Sequence, residues 1–298
     1  MDAAGRLILT AQFDKLRALE QAVREPHHHK AIHDMRVACR RMNSAFRLLR
    51  AYLPKKRVKP LLPFLENLRD TLGEIRNLDV LRADLEEFRS TDASHAPDAL
   101  DGLHKEWSAA RARHLDTLNA LLDSAAYAQW ADAMRAFLQT PAQVSIARVA
   151  DVLPGLLWKQ YGAVRAYETR LDDAVHVLHA LRIDVKRLRY TLEFFRAPLT
   201  PAQDADAGPA ALIETLITLQ DCLGTMQDAV VGAHAVTAFM SAQLERPRAA
   251  LHDYHALLAY HAALERRIET QRGQLPPLYA VVAGLAFRTQ LGSITARL

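Results

Sequence analysis

The chain has 298 residues, half of them hydrophobic, with 38 Lys and Arg against 34 Asp and Glu. That length and apolar fraction exclude a wholly disordered chain and suffice for one large domain or two of ordinary size. Gly is scarce at 11, Leu and Ala dominate the apolar residues, and runs of β-branched residues are almost absent, so the chain reads as all-α.

In chain order, residues 1–25 read as an amphipathic helix with Leu9, Phe13, Leu16, Leu19 and Val23 inward, stopped by Pro26. Arg6, Asp14 and Lys15 interrupt any signal-peptide run, and no stretch of ~18 apolar residues could cross a bilayer. A cytoplasmic location is expected. A second helix covers about 29–53 and ends at Pro54. Within it, residues 33–49 read HDMRVACRRMNSAFRLL. Met35, Cys39, Met42, Phe46 and Leu49 recur at alternating steps of four and three, the seam one helix presents to another. His33, Arg36 and Arg40 form a stripe beside the seam, since residues three and four apart share a helix flank. From His33 to Lys59 there are nine Arg or Lys against one acid, Asp34, and such clustering favours a polyanionic partner.

A long helix is expected over 60–88, a loop over 90–97, and helices over 98–122 and 125–138. Residues 139–143, with Pro141, are the best boundary, dividing the chain into 1–141 and 142–298. The second half begins with a helix over 144–171, kinked at Pro154–Gly155. A helix over 173–196 follows, then a loop over 197–209, a long helix over 210–244, and two helices over 248–271 and 276–291 broken near Gly273–Pro277. Cys39 and Cys222 sit in apolar helical patterns and read as buried, reduced thiols.

The second half repeats the first. Residues 179–195 read HALRIDVKRLRYTLEFF, with a seam of Leu181, Val185, Leu188, Leu192 and Phe195 and a stripe of His179, Arg182, Lys186 and Arg189. His33 corresponds to His179, Arg36 to Arg182, Arg40 to Lys186 and Arg41 to Arg187. A second block also recurs: Leu68-Arg69-Asp70-x-Leu72-Gly73-x-x-Arg76-Asn77-x-Asp79-Val80 is echoed by Leu219-Gln220-Asp221-x-Leu223-Gly224-x-x-Gln227-Asp228. On these four blocks the sequence resembles the CHAD domains, conserved histidine α-helical domains. The resemblance implies a duplicated pair of four-helix bundles, binding of inorganic polyphosphate and targeting to polyphosphate granules. Two departures stand out. Asn43 and Ser44 occupy the places of Arg189 and Tyr190, and Val230 stands opposite Asp79.

Arg suits phosphate because its planar fork donates two parallel hydrogen bonds, while Lys adds a point charge. Helical spacing repeats the donors every ~5 Å, a pitch suited to a linear polymer of small charged units. If the halves pack about a pseudo-twofold axis, the two stripes line a basic channel or groove. The candidate polyphosphate ligands are His33, Arg36, Arg40, Arg41, Arg47, His179, Arg182, Lys186, Arg187 and Arg189. Asp70, Asp79, Asp221 and Asp228 are expected to orient those arginines. An imidazole beside phosphate charges near neutral pH, so binding should strengthen on mild acidification.

The histidines invite a metal reading through His29/His33, His176/His179 and His252/His255, but no Cys or acid completes a ligand shell. No metal or cofactor is expected. No P-loop, G-x-G-x-x-G, G-x-S-x-G or H-E-x-x-H occurs, and neither does the E-x-E-x-K motif of the tunnel enzymes often fused to CHAD domains. The first reading is therefore a non-catalytic polyphosphate-binding module. A nucleic-acid-binding helical protein is the second, weakened because aromatics for base stacking are not interleaved with the cations. A phosphohydrolase or its accessory is the third, lacking a nominated nucleophile or metal ligand.

Overall fold

The apolar seams set which face of a helix turns inward, and in a computed structural model of the chain Leu9, Phe13, Leu16 and Val23 are buried as expected while Leu19, at the end of the first helix, is half-buried. The structure describes all residues except 26, 92–99, 142–146, 202–207 and 245–250, and the side chains of 244 and 251–253. The fold is all-α, with no strand among the described residues. The chain divides into two compact units, 1–147 and 148–298. The boundary expected at 141/142 abuts residues outside the described set.

The first unit contains α1 (Asp2–Ala18), α2 (His29–Leu48), the short α3 (Lys55–Val58), α4 (Leu62–Thr91), α5 (Asp101–Leu122) and α6 (Ala125–Gln139). The second runs α7 (Val149–Arg165), α8 (Val175–Phe194), the short α9 (Arg196–Leu199), α10 (Ala210–Leu244), α11 (Leu251–Ala283) and α12 (Leu285–Thr295). Order and relative lengths recur element by element. In each unit the long helices pack in succession, α1 on α2, α2 on α4 and α4 on α5, then α7 on α8, α8 on α10 and α10 on α11.

The seam of α2 is sealed: Met35, Cys39, Met42 and Leu49 are fully buried and Phe46 is nearly so. On α8, Leu181, Val185, Leu188, Leu192 and Phe195 are equally buried. Each such side chain contributes roughly 1.5–3 kcal/mol through removal from water. Polar clasps hold the outer helices. In the first unit Trp130 donates to the Leu61 carbonyl at 3.0 Å, and its ring stacks on Phe64 at 5.3 Å. The Ser124 hydroxyl caps α6 by accepting from the Tyr127 N–H at 3.1 Å. In the second unit the Tyr279 hydroxyl reaches the carbonyls of Val164 and Arg165 at 2.9 and 3.2 Å, two acceptors at the end of α7.

Several boundaries differ from expectation for local reasons. α1 ends at Ala18, and a single 3₁₀ turn, Ala22–Arg24, completes the expected stretch. α2 ends at Leu48, because Pro54 requires an extended approach and the intervening residues form turns. α7 stops at Arg165, short of 171. The predicted break near Gly273–Pro277 is absent: α11 runs to Ala283 with Pro276 and Pro277 inside it. Both prolines are on the exposed face, where water can serve the carbonyls that lose their N–H partners. The break comes instead at Gly284, the N-cap of α12. Of the expected loops, residues 90 and 91 belong to α4 and 197–199 to α9, while most of the remainder lies outside the described residues.

Both cysteines are free and buried. Burial pushes the Cys39 thiol up to about 12 and also raises that of Cys222. Neither forms the reactive thiolate at neutral pH. We therefore expect no labelling of the native protein by a thiol reagent within minutes at pH 7.5, and two equivalents after denaturation in guanidinium, counted by mass spectrometry. Rapid native labelling would contradict this packing.

Candidate functional site

The stripe helix of each unit lies against the glycine-bearing helix that follows it. On α4, Arg69, Asp70, Gly73, Arg76 and Asn77 share one flank through steps of three and four. On α10 the same flank carries Gln220, Asp221, Gly224, Gln227 and Asp228. Arg36 crosses α4 at its glycine: its Nε lies 3.8 Å from the point that a Gly73 side-chain carbon would occupy. Arg182 does the same on α10, with Nε and Nη2 both 3.9 Å from the corresponding point at Gly224. A longer side chain at either glycine would occupy the place of a guanidinium. This is the physical use of the Leu-Gly pair in the second repeated block.

In the first unit the arrangement opens a cleft of about 240 Å³. Arg36 and Arg40 from α2 form one side, and Arg69, Asp70, Glu74 and Asn77 of α4 the other. Arg69 meets Asp70 at 2.7 Å. His33, exposed at the head of the stripe, has its pKa lowered. Partial desolvation is the largest cause, followed by the charge of Arg76; Arg40 and Arg36 add to it and Asp34 opposes it. Arg41 is half-buried on the same helix, while Arg47 is exposed and 3.9 Å from Glu66.

In the second unit His179 is hydrogen-bonded through Nδ1 to the Gln227 Oε1 at 2.8 Å. Gln227 stands where Arg76 stands in the first unit, so the residue beside the stripe histidine is neutral in one unit and charged in the other. Arg182 and Lys186 are half-buried on the flank facing α10. Arg187 is exposed and pairs with Asp184 at 2.7 Å. Arg189 is turned inward: Nε donates to Gln220 at 3.0 Å, Nη1 to Glu193 at 2.7 Å, and the guanidinium lies 4.9 Å from the Tyr190 ring centroid. With a side-chain exposure of 13 %, Arg189 braces α8 against α10.

The four carboxylates take different positions. Asp70 lines the cleft, and Asp221 and Asp228 are exposed on the matching flank of α10. Asp79 has a different partner from the one expected. It is 5 % exposed and accepts from Arg111 of α5 at 2.5 Å, with His29 Nδ1 at 2.7 Å. Six residues beyond Gly73 the helix has turned by roughly 120° net, so Asp79 faces α5 and not the stripe. The sequence reading missed Arg69 and Arg76. Their spacing of four and three from Gly73 was the available signal, since it puts them on the glycine's flank.

The family model that matches this chain is that of the CHAD domain, over residues 7–237. Among solved structures, the CHAD domain from the plant Ricinus communis is similar with a TM-score of 0.76 and 23 % identity, covering 96 % of this chain and 92 % of that one. PptA from Streptomyces chartreusis is similar with a TM-score of 0.69 and 21 % identity, covering 93 % and 98 %. At these identities the likeness is one of fold. No curated protein sequence matches the chain significantly. With the family model spanning most of its length and its all-α fold shared almost end to end with a solved CHAD domain, this chain belongs to the CHAD domain family.

Proposed function

We propose that this protein binds inorganic polyphosphate, without cleaving it, along the cation rows carried by α2 and α8. CHAD domains in general are linked to polyphosphate. The observation that carries the reading is the arginine laid over a glycine in both units, Arg36 on Gly73 and Arg182 on Gly224. Two independent occurrences of one contact hold a guanidinium at the same point of each unit, followed one turn later by Arg40 or Lys186. Cationic groups one helical turn apart suit successive phosphates of a flexible chain. Arg69 and Arg76 add charge to the first row. Arg187 and Arg47 are peripheral, and Arg189 supports the helix pair. Binding of this kind recruits the protein to polyphosphate granules.

Nucleic acid is the weaker alternative. Tyr190, the aromatic within the stripe motif, is 2 % exposed and offers no face on which a base could stack. Among the described residues no group of three or more His, Cys, Asp or Glu is arranged to hold a metal, and no helix is long and apolar enough to cross a membrane.

The reading is tested by filter binding of long-chain polyphosphate across a salt series. Each neutralised phosphate adds about −0.7 to the slope of log K against log salt, by analogy with single-stranded nucleic acid. Arg182→Ala/Lys186→Ala should lower affinity and flatten that slope by about 1.4. Polyphosphate should displace RNA, and orthophosphate should stay at the blank level. RNA displacing polyphosphate, or an unchanged slope, would overturn the proposal.

The pH dependence follows from His33. In the free protein its pKa is lowered, so it is largely neutral at pH 7. A bound polyanion offsets Arg76, Arg40 and Arg36, and the complex then takes up a proton that the free protein lacks. Affinity should rise as pH falls from about 8 to 5.5. His33→Gln should flatten that rise, read by calorimetry in buffers of different ionisation enthalpy.

Gly224→Ala places its carbon at ordinary van der Waals distance from Arg182, so we expect retained binding and a helix stabilised by about 0.5–1 kcal/mol. Gly224→Leu fills the space of the guanidinium and should weaken polyphosphate binding while circular dichroism stays helical. Equal binding by both variants would show that Arg182's seat is not needed.

A further inference from the structure

Where the first unit departs from the second, at Asn43, it has a second pocket of about 500 Å³. That is within the range of roughly 300–1,000 Å³ typical of small-molecule sites. It lies at the C-terminal end of α2, further along the chain than the Arg36–Arg40 cleft, and shares none of that cleft's lining residues. Phe46, Leu53, Val58 and Leu62 give it apolar walls, the first three of them buried. Arg47, Arg50, Lys55 and Lys59 supply four cations, against one carboxylate, Glu66, 3.9 Å from Arg47.

The second unit shows what the pocket replaces. There Arg189 stands at the position of Asn43 and Glu193 at that of Arg47, and the two are joined at 2.7 Å. In the first unit the long arginine is exchanged for a short amide and the acid for a base. The exchange removes an internal ion pair and leaves both space and net positive charge. Asn43 is 4 % exposed, and its Nδ2 donates to the Cys39 carbonyl at 3.3 Å. That uses one of the amide's two N–H bonds, so what Asn43 still has for the pocket it lines is an acceptor oxygen and one donor.

We infer that this pocket binds a nucleotide, its base against the partly exposed Leu62, the polar edge of the base on the Asn43 amide, and its phosphates among Arg50, Lys55 and Lys59. Each part of the pocket matches one part of that ligand. An inorganic phosphate chain has no use for apolar walls. A lipid phosphate has no polar group for a buried amide at its apolar end, and leaving that amide unpaired under a ligand is costly. The site is independent of the polyphosphate rows, so either proposal can fail alone.

Isothermal titration calorimetry of the full chain with ADP is the test, with adenosine, pyrophosphate and lysophosphatidic acid as separate titrants. One ADP should bind per chain, and adenosine and pyrophosphate should each bind at least about tenfold more weakly, because each lacks half of the contacts. Asn43→Leu removes the amide at similar volume and should weaken ADP at least about tenfold, the loss of a hydrogen bond, with polyphosphate affinity unchanged. Leu62→Trp, on the pocket's outer wall, should block ADP without touching the core, and decides the matter if Asn43→Leu does not fold. Pyrophosphate binding as tightly as ADP would make the pocket a plain anion site. Lysophosphatidic acid binding in preference to ADP would make it a lipid site. Either result, or ADP binding indifferent to both substitutions, overturns the assignment.

Discussion

Everything at the candidate site depends on a guanidinium resting on a helix at a point that leaves room for nothing larger than a methyl group. Arg36 over Gly73 and Arg182 over Gly224 leave room for a methyl group at ordinary van der Waals distance, but a longer side chain there would take the place of the flat, charged group. The helix pays for that glycine with about 1 kcal/mol of intrinsic propensity. The return is positional. An arginine on a bare helix surface samples many rotamers, whereas one bounded by the neighbouring backbone is confined, so less freedom remains to be lost on ligand binding.

The same contact explains how like charges come to be crowded without unfolding the protein. The seams of α2 and α8 are sealed by residues at or near zero exposure, and their burial outweighs the repulsion among cations on the adjacent flank. The repulsion is visible where a group can respond to it. The pKa of His33 is lowered first by partial desolvation, and Arg76, Arg40 and Arg36 add to it. Asp70 and Glu74 temper the first cleft, and in the second unit the neutral Gln227 takes the place of Arg76 beside the histidine. The two units thus keep one geometry and differ in charge density.

The internal sequence repeat also makes divergence readable. Asn43 in place of Arg189, and Arg47 in place of Glu193, look in the sequence like a weakened copy of the stripe. In the fold Arg189 belongs to an internal brace of Gln220, Glu193 and Tyr190, and its loss from the first unit is the opening of a pocket. The other departure has a similar account. Asp79, which Val230 replaces in the second unit, binds Arg111 of α5 and His29 at the start of α2, and not the stripe cations.

The sequence by itself determined the helical class, the two seams and the repeat, because burial enforces a period that survives in the order of residues. It also determined which residues form the stripes and that the Leu-Gly blocks belong with them. Helix ends were less legible: α11 runs through Pro276–Pro277 because both sit on a wet face, and no periodicity reports solvent exposure on that side. Only the tertiary structure decided which cation meets what. Arg36 and Arg189 are both stripe arginines by spacing, yet one lies on a glycine at a cleft and the other is locked to Glu193 and Gln220. Glu193, one turn on in the same helix, is within the helical repeat, but the residue opposite on the neighbouring helix, Gln220 for Arg189, is about thirty positions away and outside it.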